Sequence, residues 1–246
     1  MLKRGLVQIA YLMSWLVFAA GALALNSVCL VLLLFSRPRE RFGGWVRAAI
    51  RRLFQVWTAW LEFAGLVAFE WDAPPGRLAR PAIYVANHPS LLDATFLLSR
   101  LPDAITIFKA RLLDNPLLGP AARLAGYAPG NAGVDLIRRL ADEAAGGRTV
   151  LIFPEGTRTA PAADCNELKP GFALIARRAR LPVEVLVIRA NRDLLPRGGA
   201  WWRAPRAPSL YRVQAAGTVA VSPERAIADI VAEVRERFIA GVRRQT

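Results

Sequence analysis

The chain contains one histidine, His88, so any chemistry that needs an imidazole rests on a single residue. It stands in Asn87-His88-Pro89-Ser90-Leu91-Leu92-Asp93, and the acid five positions on is its natural partner. A carboxylate in the first turn of a helix can reach back and accept the Nδ1 proton, which leaves Nε2 free to act as a base. Such a base suits acyl transfer, because a hydroxyl is a poor nucleophile until its proton is removed as it attacks. The same residues have a structural reading. Ser90 as N-cap with Asp93 three residues later is an acidic variant of the capping box, and it could serve only to start a helix. The two readings are compatible. No G-x-S-x-G elbow is present, and Ser90 lies only two residues from His88, so the incoming hydroxyl takes the place of a serine nucleophile. Direct transfer without a covalent acyl-enzyme is the expectation.

A second segment, Phe153-Pro154-Glu155-Gly156-Thr157-Arg158, follows an apolar run that reads as a strand. Proline turns the chain out of the sheet, and glycine allows close approach of the backbone to a ligand. The guanidinium of Arg158 can grip a phosphate with two hydrogen bonds. Loop amides near Gly156 are candidate donors to the oxyanion that forms at an attacked carbonyl, their direction being left open by the sequence. Taken alone this is an ordinary strand-end turn; two such turns at one sheet edge are harder to explain by structure only. The two cysteines, Cys29 and Cys165, form no CxxC pair and have no clustered histidine, so neither a metal site nor a disulfide framework is expected.

Positioning these turns requires strands. Short apolar or β-branched runs at Ala82–Ala86, Ala104–Phe108, Thr149–Phe153, Val183–Arg189 and near Tyr211–Ala215 alternate with amphipathic stretches. The helices expected between them are Leu91–Leu101, Val134–Ala145, Phe172–Arg180 and Pro223–Val242, the last with Ser222 as N-cap. This pattern gives an α/β fold with a mixed, largely parallel sheet flanked by helices, beginning after the Ala73-Pro74-Pro75-Gly76 breaker and filling 73–246.

Residues 1–72 read differently. No charged residue occurs from Gly5 to Ser36, and Tyr11 to Phe35 is long enough to cross a hydrocarbon core of about 30 Å as a helix. A cleaved signal peptide is the rival, but its apolar region runs to only about 7–15 residues. Lys3 and Arg4 precede the run, and the larger cluster Arg37, Arg39, Arg41, Arg47, Arg51 and Arg52 follows it, which places the remainder on the cytoplasmic side, at the inner membrane in a bacterium. A second apolar segment, Leu53 to Phe69, either dips into the interface or forms a buried helix. Together the two read as an N-terminal membrane helical hairpin. The composition agrees: 54% of residues are hydrophobic, mean hydropathy is +0.28, and the net charge of +14 suits nucleic acid or an anionic bilayer. The arginines are dispersed and many flank the anchor, which favours membrane lipids over a tethered nucleic-acid-binding protein. Arg197-Gly198-Gly199-Ala200-Trp201-Trp202-Arg203 is either a further interfacial element or a surface loop.

Over Ala82 to Ile188 the sequence resembles the glycerolipid (lysophospholipid) acyltransferases, whose N-H-x-x-x-x-D block is matched by Asn87 to Asp93 and whose F-P-E-G-T-R block is matched by Phe153 to Arg158. The resemblance implies a glycerol-3-phosphate acyltransferase-like fold, with His88 as general base and Asp93 as its orienting partner. It also implies a substrate site drawn from Asn87, Ser90, Phe153, Pro154, Glu155, Gly156, Thr157 and Arg158. Leu168-Lys169-Pro170-Gly171-Phe172 is similar to the family's basic-glycine segment, which adds Lys169 and Gly171, and Leu181 to Val185 is similar to its last block. The implied activity is O-acyl transfer to a lysophospholipid, 1-acylglycerol-3-phosphate first, from acyl-CoA or acyl carrier protein and with no cofactor. One block departs from the family: Gly126-Tyr127-Ala128-Pro129-Gly130-Asn131 lacks the arginine that helps hold the acceptor phosphate. Arg123 or Arg138 substitutes, or the acceptor has a different head group. A membrane-bound thioester or lipid hydrolase using the same pair is the chemical rival.

Overall fold

The computed structural model describes residues 2–35, 37–72, 82–116, 118–160, 162–191, 194–195, 200, 202–205 and 207–243. Two long helices come first, α1 (Leu2–Leu32) and α2 (Pro38–Phe63). They pair antiparallel: Trp15 and Phe18 pack on Trp57 with ring centroids at 5.2 and 4.6 Å, and Phe35 meets Phe42 across the connecting turn at 5.7 Å. Arg37 takes a left-handed conformation at that turn, and Pro38, with no N–H to satisfy, opens α2. The stretch Arg4–Leu32 is long and apolar enough to cross a membrane, with mean hydropathy 2.1. Its outward face exposes Leu6, Ile9, Leu16, Leu23 and Leu30.

The α2 helix is docked on the rest of the chain rather than projecting from it. Arg47 Nε donates to Asp103 Oδ1 at 2.5 Å and its Nη1 to the Ala125 carbonyl at 3.1 Å, while Gln55 Nε2 donates to the Ser99 carbonyl at 3.0 Å. The second apolar segment therefore divides. Trp57 and Leu61 are buried against the domain, Phe63 is exposed, and Val67 to Phe69 leave the helix to enter strand β1 (Val67–Asp72). Gly65, at φ +64, makes that reversal. The sheet thus begins ahead of residue 73, because β1 finds its hydrogen-bond partner in β7, which is distant in sequence. The Ala73–Gly76 breaker lies outside the described residues.

The remaining strands are β2 (Ile83–Ala86), β3 (Ala104–Phe108), β4 (Ala128–Pro129), β5 (Thr149–Ile152), β6 (Val183–Ala190) and β7 (Ser209–Val219). The sheet order is β1-β7-β6-β2-β5-β3-β4, parallel throughout except for the antiparallel β6/β7 pair. Between the strands run α3 (Asp93–Arg100), α4 (Ala110–Leu113), α5 (Gly119–Ala125), α6 (Gly133–Ala145), α7 (Gly171–Ala179) and α8 (Ile227–Arg243). One layer holds α1, α2, α3 and α5, and the other holds α6, α7 and α8. This is the expected mixed, largely parallel α/β architecture.

Two strands and two short helices have no clear sequence signature: β1, the two-residue β4, α4 and α5. The last helix also starts later than expected. Ser222 does not cap it, because Pro223 to Arg225 form a turn in which Arg225 N–H donates to the Ser222 carbonyl at 3.3 Å, and α8 begins at Ile227. Over α3 the core is aromatic. Phe96 meets Phe69 at 4.7 Å and Tyr211 at 4.6 Å, both edge-on, the arrangement that ring quadrupoles favour.

Candidate active site

Because β2 and β5 are parallel neighbours, the turns that follow them emerge at the same sheet edge. That edge carries His88 and the Phe153–Arg158 loop. Asn87 is the first residue beyond β2, and its side chain clamps the adjoining strand. Its Nδ2 donates to the Ile188 carbonyl at 2.8 Å, and the Ile188 N–H donates to its Oδ1 at 2.7 Å. This pair fixes where the strand ends and so where His88 begins.

His88 Nδ1 lies 2.7 Å from Asp93 Oδ2. An ionised carboxylate only accepts, so the proton sits on Nδ1, and the Nε2 lone pair points away from the acid. Asp93 is fully buried, the first residue of α3. Its Oδ2 also accepts the Ser90 N–H at 2.8 Å, and its Oδ1 accepts the Tyr211 hydroxyl at 2.9 Å. The capping reading and the base-orienting reading therefore hold together: one carboxylate closes the turn and holds the ring. Ser90 Oγ accepts the Leu92 N–H at 3.3 Å and donates to the Leu194 carbonyl at 2.7 Å, so it ties the turn to the β6–β7 loop. Burial pushes the Asp93 carboxyl above its ordinary range, against the hydrogen bonds from His88, Ser90 and Tyr211 that favour its charge. Burial and the adjacent Asp93 hold the Tyr211 phenol well above its usual value, so it remains a donor. Tyr211 sits on β7 with no motif around it, and only the aromatic residue in a predicted strand marked it in the sequence.

The two motifs meet through backbone and carboxylate. The His88 N–H donates to Glu155 Oε1 at 2.9 Å, and the Thr159 N–H donates to the His88 carbonyl at 2.7 Å. Glu155 is buried, and it also accepts the Thr159 hydroxyl at 2.7 Å and the Asn166 N–H at 3.0 Å. Its carboxylate is thus turned into the protein, against the back of the His88 turn. The Phe153 ring stacks on the imidazole at 4.4 Å with a 27° interplanar angle, limiting how far the ring can swing.

Gly156 closes the Pro154–Thr157 turn at φ +65, its N–H donating to the Phe153 carbonyl at 3.0 Å. That amide is spent in the turn, so an oxyanion donor has to come from another group. A Cβ at this position would come within 3.0 Å of Lys169 Nζ, so the glycine lets the lysine lie across the loop. The Lys169 N–H donates to the Pro154 carbonyl at 2.8 Å, and Gly171 starts α7 just beyond. Thr157 is exposed; Arg158 is partly buried, with Nη1 donating to the Leu195 carbonyl at 3.1 Å. Asn87, His88, Ser90, Asp93, Pro154, Glu155, Arg158 and Lys169 are brought to one sheet edge. Thr159, Asn166, Leu194 and Leu195 join them; sequence reading does not single them out, because Leu194 and Leu195 act through backbone carbonyls far along the chain and Thr159 and Asn166 support Glu155 from the loop beyond the motif.

The structure shows what holds the two substitutes considered for the missing arginine. Arg123 is held on α5 by the Leu113 carbonyl at 3.0 Å and by Asp114 at 2.8 Å, and Arg138 is exposed on α6. Of the Arg197–Arg203 segment, 197–199 and 201 lie outside the described residues. Trp202 is exposed, and its carbonyl accepts Gln8 Nε2 of α1 at 2.7 Å. Among the described residues no cluster of His, Cys, Asp and Glu is fit to hold a metal ion.

Comparison with known proteins gives the same assignment. The family described as Acyltransferase matches residues 72–189. The chain is similar to the chloroplastic 1-acyl-sn-glycerol-3-phosphate acyltransferase of Brassica napus, 30% identical over 48% of this chain and 36% of that one. It is similar to the lyso-ornithine lipid O-acyltransferase of Pseudomonas aeruginosa, 34% identical over 72% of this chain and 69% of that one. The chain thus spans about a third of the length of the plant relatives but over two thirds of the bacterial one. Its fold superposes on the crystal structure of the 1-acyl-sn-glycerophosphate acyltransferase of Thermotoga maritima with a TM-score of 0.72 and 22% identity, covering 98% of this chain and 95% of that one. With both sequence blocks brought to one edge of the sheet, the chain belongs to the acyltransferase family that includes the 1-acylglycerol-3-phosphate acyltransferases.

Proposed function

We propose that the protein transfers an acyl group from a thioester, acyl-CoA or acyl carrier protein, to the hydroxyl of a lysolipid at a membrane surface, without a cofactor. The observation that carries this is the His88–Asp93 pair: a proton fixed on Nδ1 leaves Nε2 as a base beside the Phe153–Arg158 turn. Nε2 takes the acceptor's proton as its oxygen bonds to the thioester carbonyl carbon. The tetrahedral adduct then collapses, the C–S bond breaks, and the leaving thiolate receives the proton from the imidazolium. His88 is the catalytic residue, and Asp93 and Tyr211 position it.

Arg158 and Lys169 are cations at this edge suited to an anionic head group, and Lys109, exposed at the end of β3 on the same edge, is a third. These support 1-acylglycerol-3-phosphate as acceptor. A second reading, a lyso-ornithine lipid acceptor, is favoured by the bacterial relative of that name and by the absent arginine near Gly126. Assaying the purified protein against both lysolipids, with each thioester donor, tests class and substrate together. Thioester consumption that does not rise with any lysolipid would point to hydrolysis instead.

The α1 helix is the membrane element in this reading, and it lies in the bilayer surface instead of threading through it. Gln8 bonds the loop at the active-site edge, where the Ala204 N–H donates to its Oε1 at 3.0 Å, and Asn26 Oδ1 accepts the Ala121 N–H of α5 at 3.0 Å. Eighteen residues of helix span about 27 Å, so a crossing α1 would carry polar parts of the domain to bilayer depth. Lying flat, it buries its exposed leucines in lipid and keeps the catalytic edge at the cytoplasmic surface.

A further inference from the structure

Between the Phe153–Arg158 turn and α7 the described residues form neither helix nor strand, so their backbone N–H and carbonyl groups need partners that a sheet does not supply. Asn166 satisfies two of them. Its Nδ2 donates to the Arg158 carbonyl at 3.1 Å, and the Ala160 N–H donates to its Oδ1 at 3.1 Å. A side-chain amide carries the same donor and acceptor as a peptide group, so Asn166 lies against residues 158 and 160 as a neighbouring strand would. The opposite orientation of the amide would set donor against donor at Ala160 and acceptor against acceptor at Arg158. Asn87 holds Ile188 by the same device.

Asn166 is itself fixed. Its N–H donates to Glu155 Oε2 at 3.0 Å, and the buried Cys165 thiol donates to its carbonyl at 3.1 Å. Each of its four polar atoms thus has a partner. The two residues gripped by the amide flank Thr159, whose N–H donates to the His88 carbonyl and whose hydroxyl donates to Glu155 Oε1. Arg158 is therefore held at its root by Asn166 and near its tip by the Leu195 carbonyl, which receives Nη1 at 3.1 Å. A long side chain places its charge reproducibly only when the backbone beneath it is held by a supporting shell.

We propose that Asn166 is a positioning residue for acceptor binding: by clamping the backbone on both sides of Thr159, it sets where Arg158 presents its guanidinium to a phosphate-bearing lysolipid. The proposal rests on the reading of Arg158 as a head-group ligand given above. Asn166 acts through Arg158 and Thr159, and its own polar atoms are all turned to the protein.

The test compares KM and kcat of the full chain as wild type, Asn166→Ala, Arg158→Ala and the double variant, on 1-acylglycerol-3-phosphate and on a lysolipid without phosphate. Asn166→Ala should raise KM for the phosphate-bearing acceptor about three- to tenfold, the effect of losing ordinary hydrogen bonds, with little change in kcat or in KM for the other acceptor. Added to Arg158→Ala it should raise that KM no further, because two residues acting through one guanidinium are not additive. Asp164→Ala, which releases the same loop from Arg243 without touching the clamp, should leave KM where it is. Should Asn166→Ala fold poorly, Asn166→Leu, which keeps the volume and lacks the amide, is read in the same way. An equal rise in KM on both lysolipids, a further rise in the double variant, or the same rise from Asp164→Ala would make Asn166 a loop-closing residue and overturn the proposal. A fall in kcat at unchanged KM overturns it too, and assigns Asn166 to the seat of His88. If Arg158→Ala raises KM for the phosphate-bearing acceptor and Asn166→Ala does not, the positioning role alone fails. A wild type inactive on 1-acylglycerol-3-phosphate, or an unchanged KM in Arg158→Ala, overturns the head-group reading of Arg158 and this proposal with it.

Discussion

The backbone N–H of His88 donates to the buried carboxylate of Glu155 at 2.9 Å, so the residue that defines one sequence block is held in place by the residue that defines the other. That contact joins positions 67 apart along the chain. Glu155 also receives Thr159 and Asn166, and the loop it organises returns a hydrogen bond to the His88 carbonyl. The base thus sits on a frame built from both turns, and its ring is fixed by Asp93 on one side and Phe153 on another.

Replacing His88 by Ala should abolish transfer at a cost of about 1–3 kcal/mol in stability for the lost donor to buried Asp93, while the chain stays folded because the Ser90 N–H and the Tyr211 hydroxyl still hold that carboxylate. A general base contributes about 10²–10⁴-fold, so residual turnover should fall by at least that factor. Wild-type turnover by a purified His88→Ala sample would contradict the mechanism. Mass spectrometry of the wild type during turnover should find no acyl group on Ser90.

Asp93→Asn should keep the fold and lose about 10³–10⁴ in rate, since a neutral amide cannot stabilise the imidazolium. Burial holds the folded Asp93 above the unfolded value of about 3.9, so the folded chain binds its proton more tightly. That contribution to stability is fully present below pH ~4 and is lost as pH rises through the folded value. Chemical denaturation across this range should show wild type losing stability relative to Asp93→Asn as pH rises, and wild-type activity failing on acidification as Asp93 takes up its proton. A stability difference independent of pH would count against the buried ionised acid.

Tyr211→Phe removes the donor to Asp93 Oδ1 and leaves a buried acceptor without its partner, at a cost of about 1–3 kcal/mol. The acid limb of the pH–rate profile should move upward, because the donor that favours the charged carboxylate is gone. A packing role alone would lower the unfolding midpoint and leave the profile where it is.

Glu155→Gln swaps one accepting oxygen for a donor among three N–H and O–H donors. We expect it to destabilise the chain by about 1–3 kcal/mol and to lower kcat more than it raises KM, since what it disturbs is the seat of the base. A rise in KM for the lysolipid with kcat unchanged would assign Glu155 to acceptor binding instead.

Arg158→Ala and Lys109→Ala should act chiefly on KM for a phosphate-bearing acceptor, and much less for an acceptor without phosphate. Kinetics with the two lysolipids compared under "Proposed function" separate these outcomes. A pure kcat effect at either residue would place it at the reacting carbonyl.

The sequence alone carried a good deal of this. Periodicity located five of the seven strands among the described residues, because each is an apolar or β-branched run flanked by breakers, and the single histidine with an acid five positions later limited the base to one residue and its partner. Burial of Asp93, its third contact in Tyr211 and the inward turn of Glu155 were decided only in three dimensions. Each depends on groups brought together across 67 to 118 residues, a proximity that local pattern does not encode. The same holds for β1, whose first three residues read as the tail of an apolar segment until β7 supplies a partner for their backbone. A strand is stabilised by its neighbour, and the neighbour is chosen by the fold.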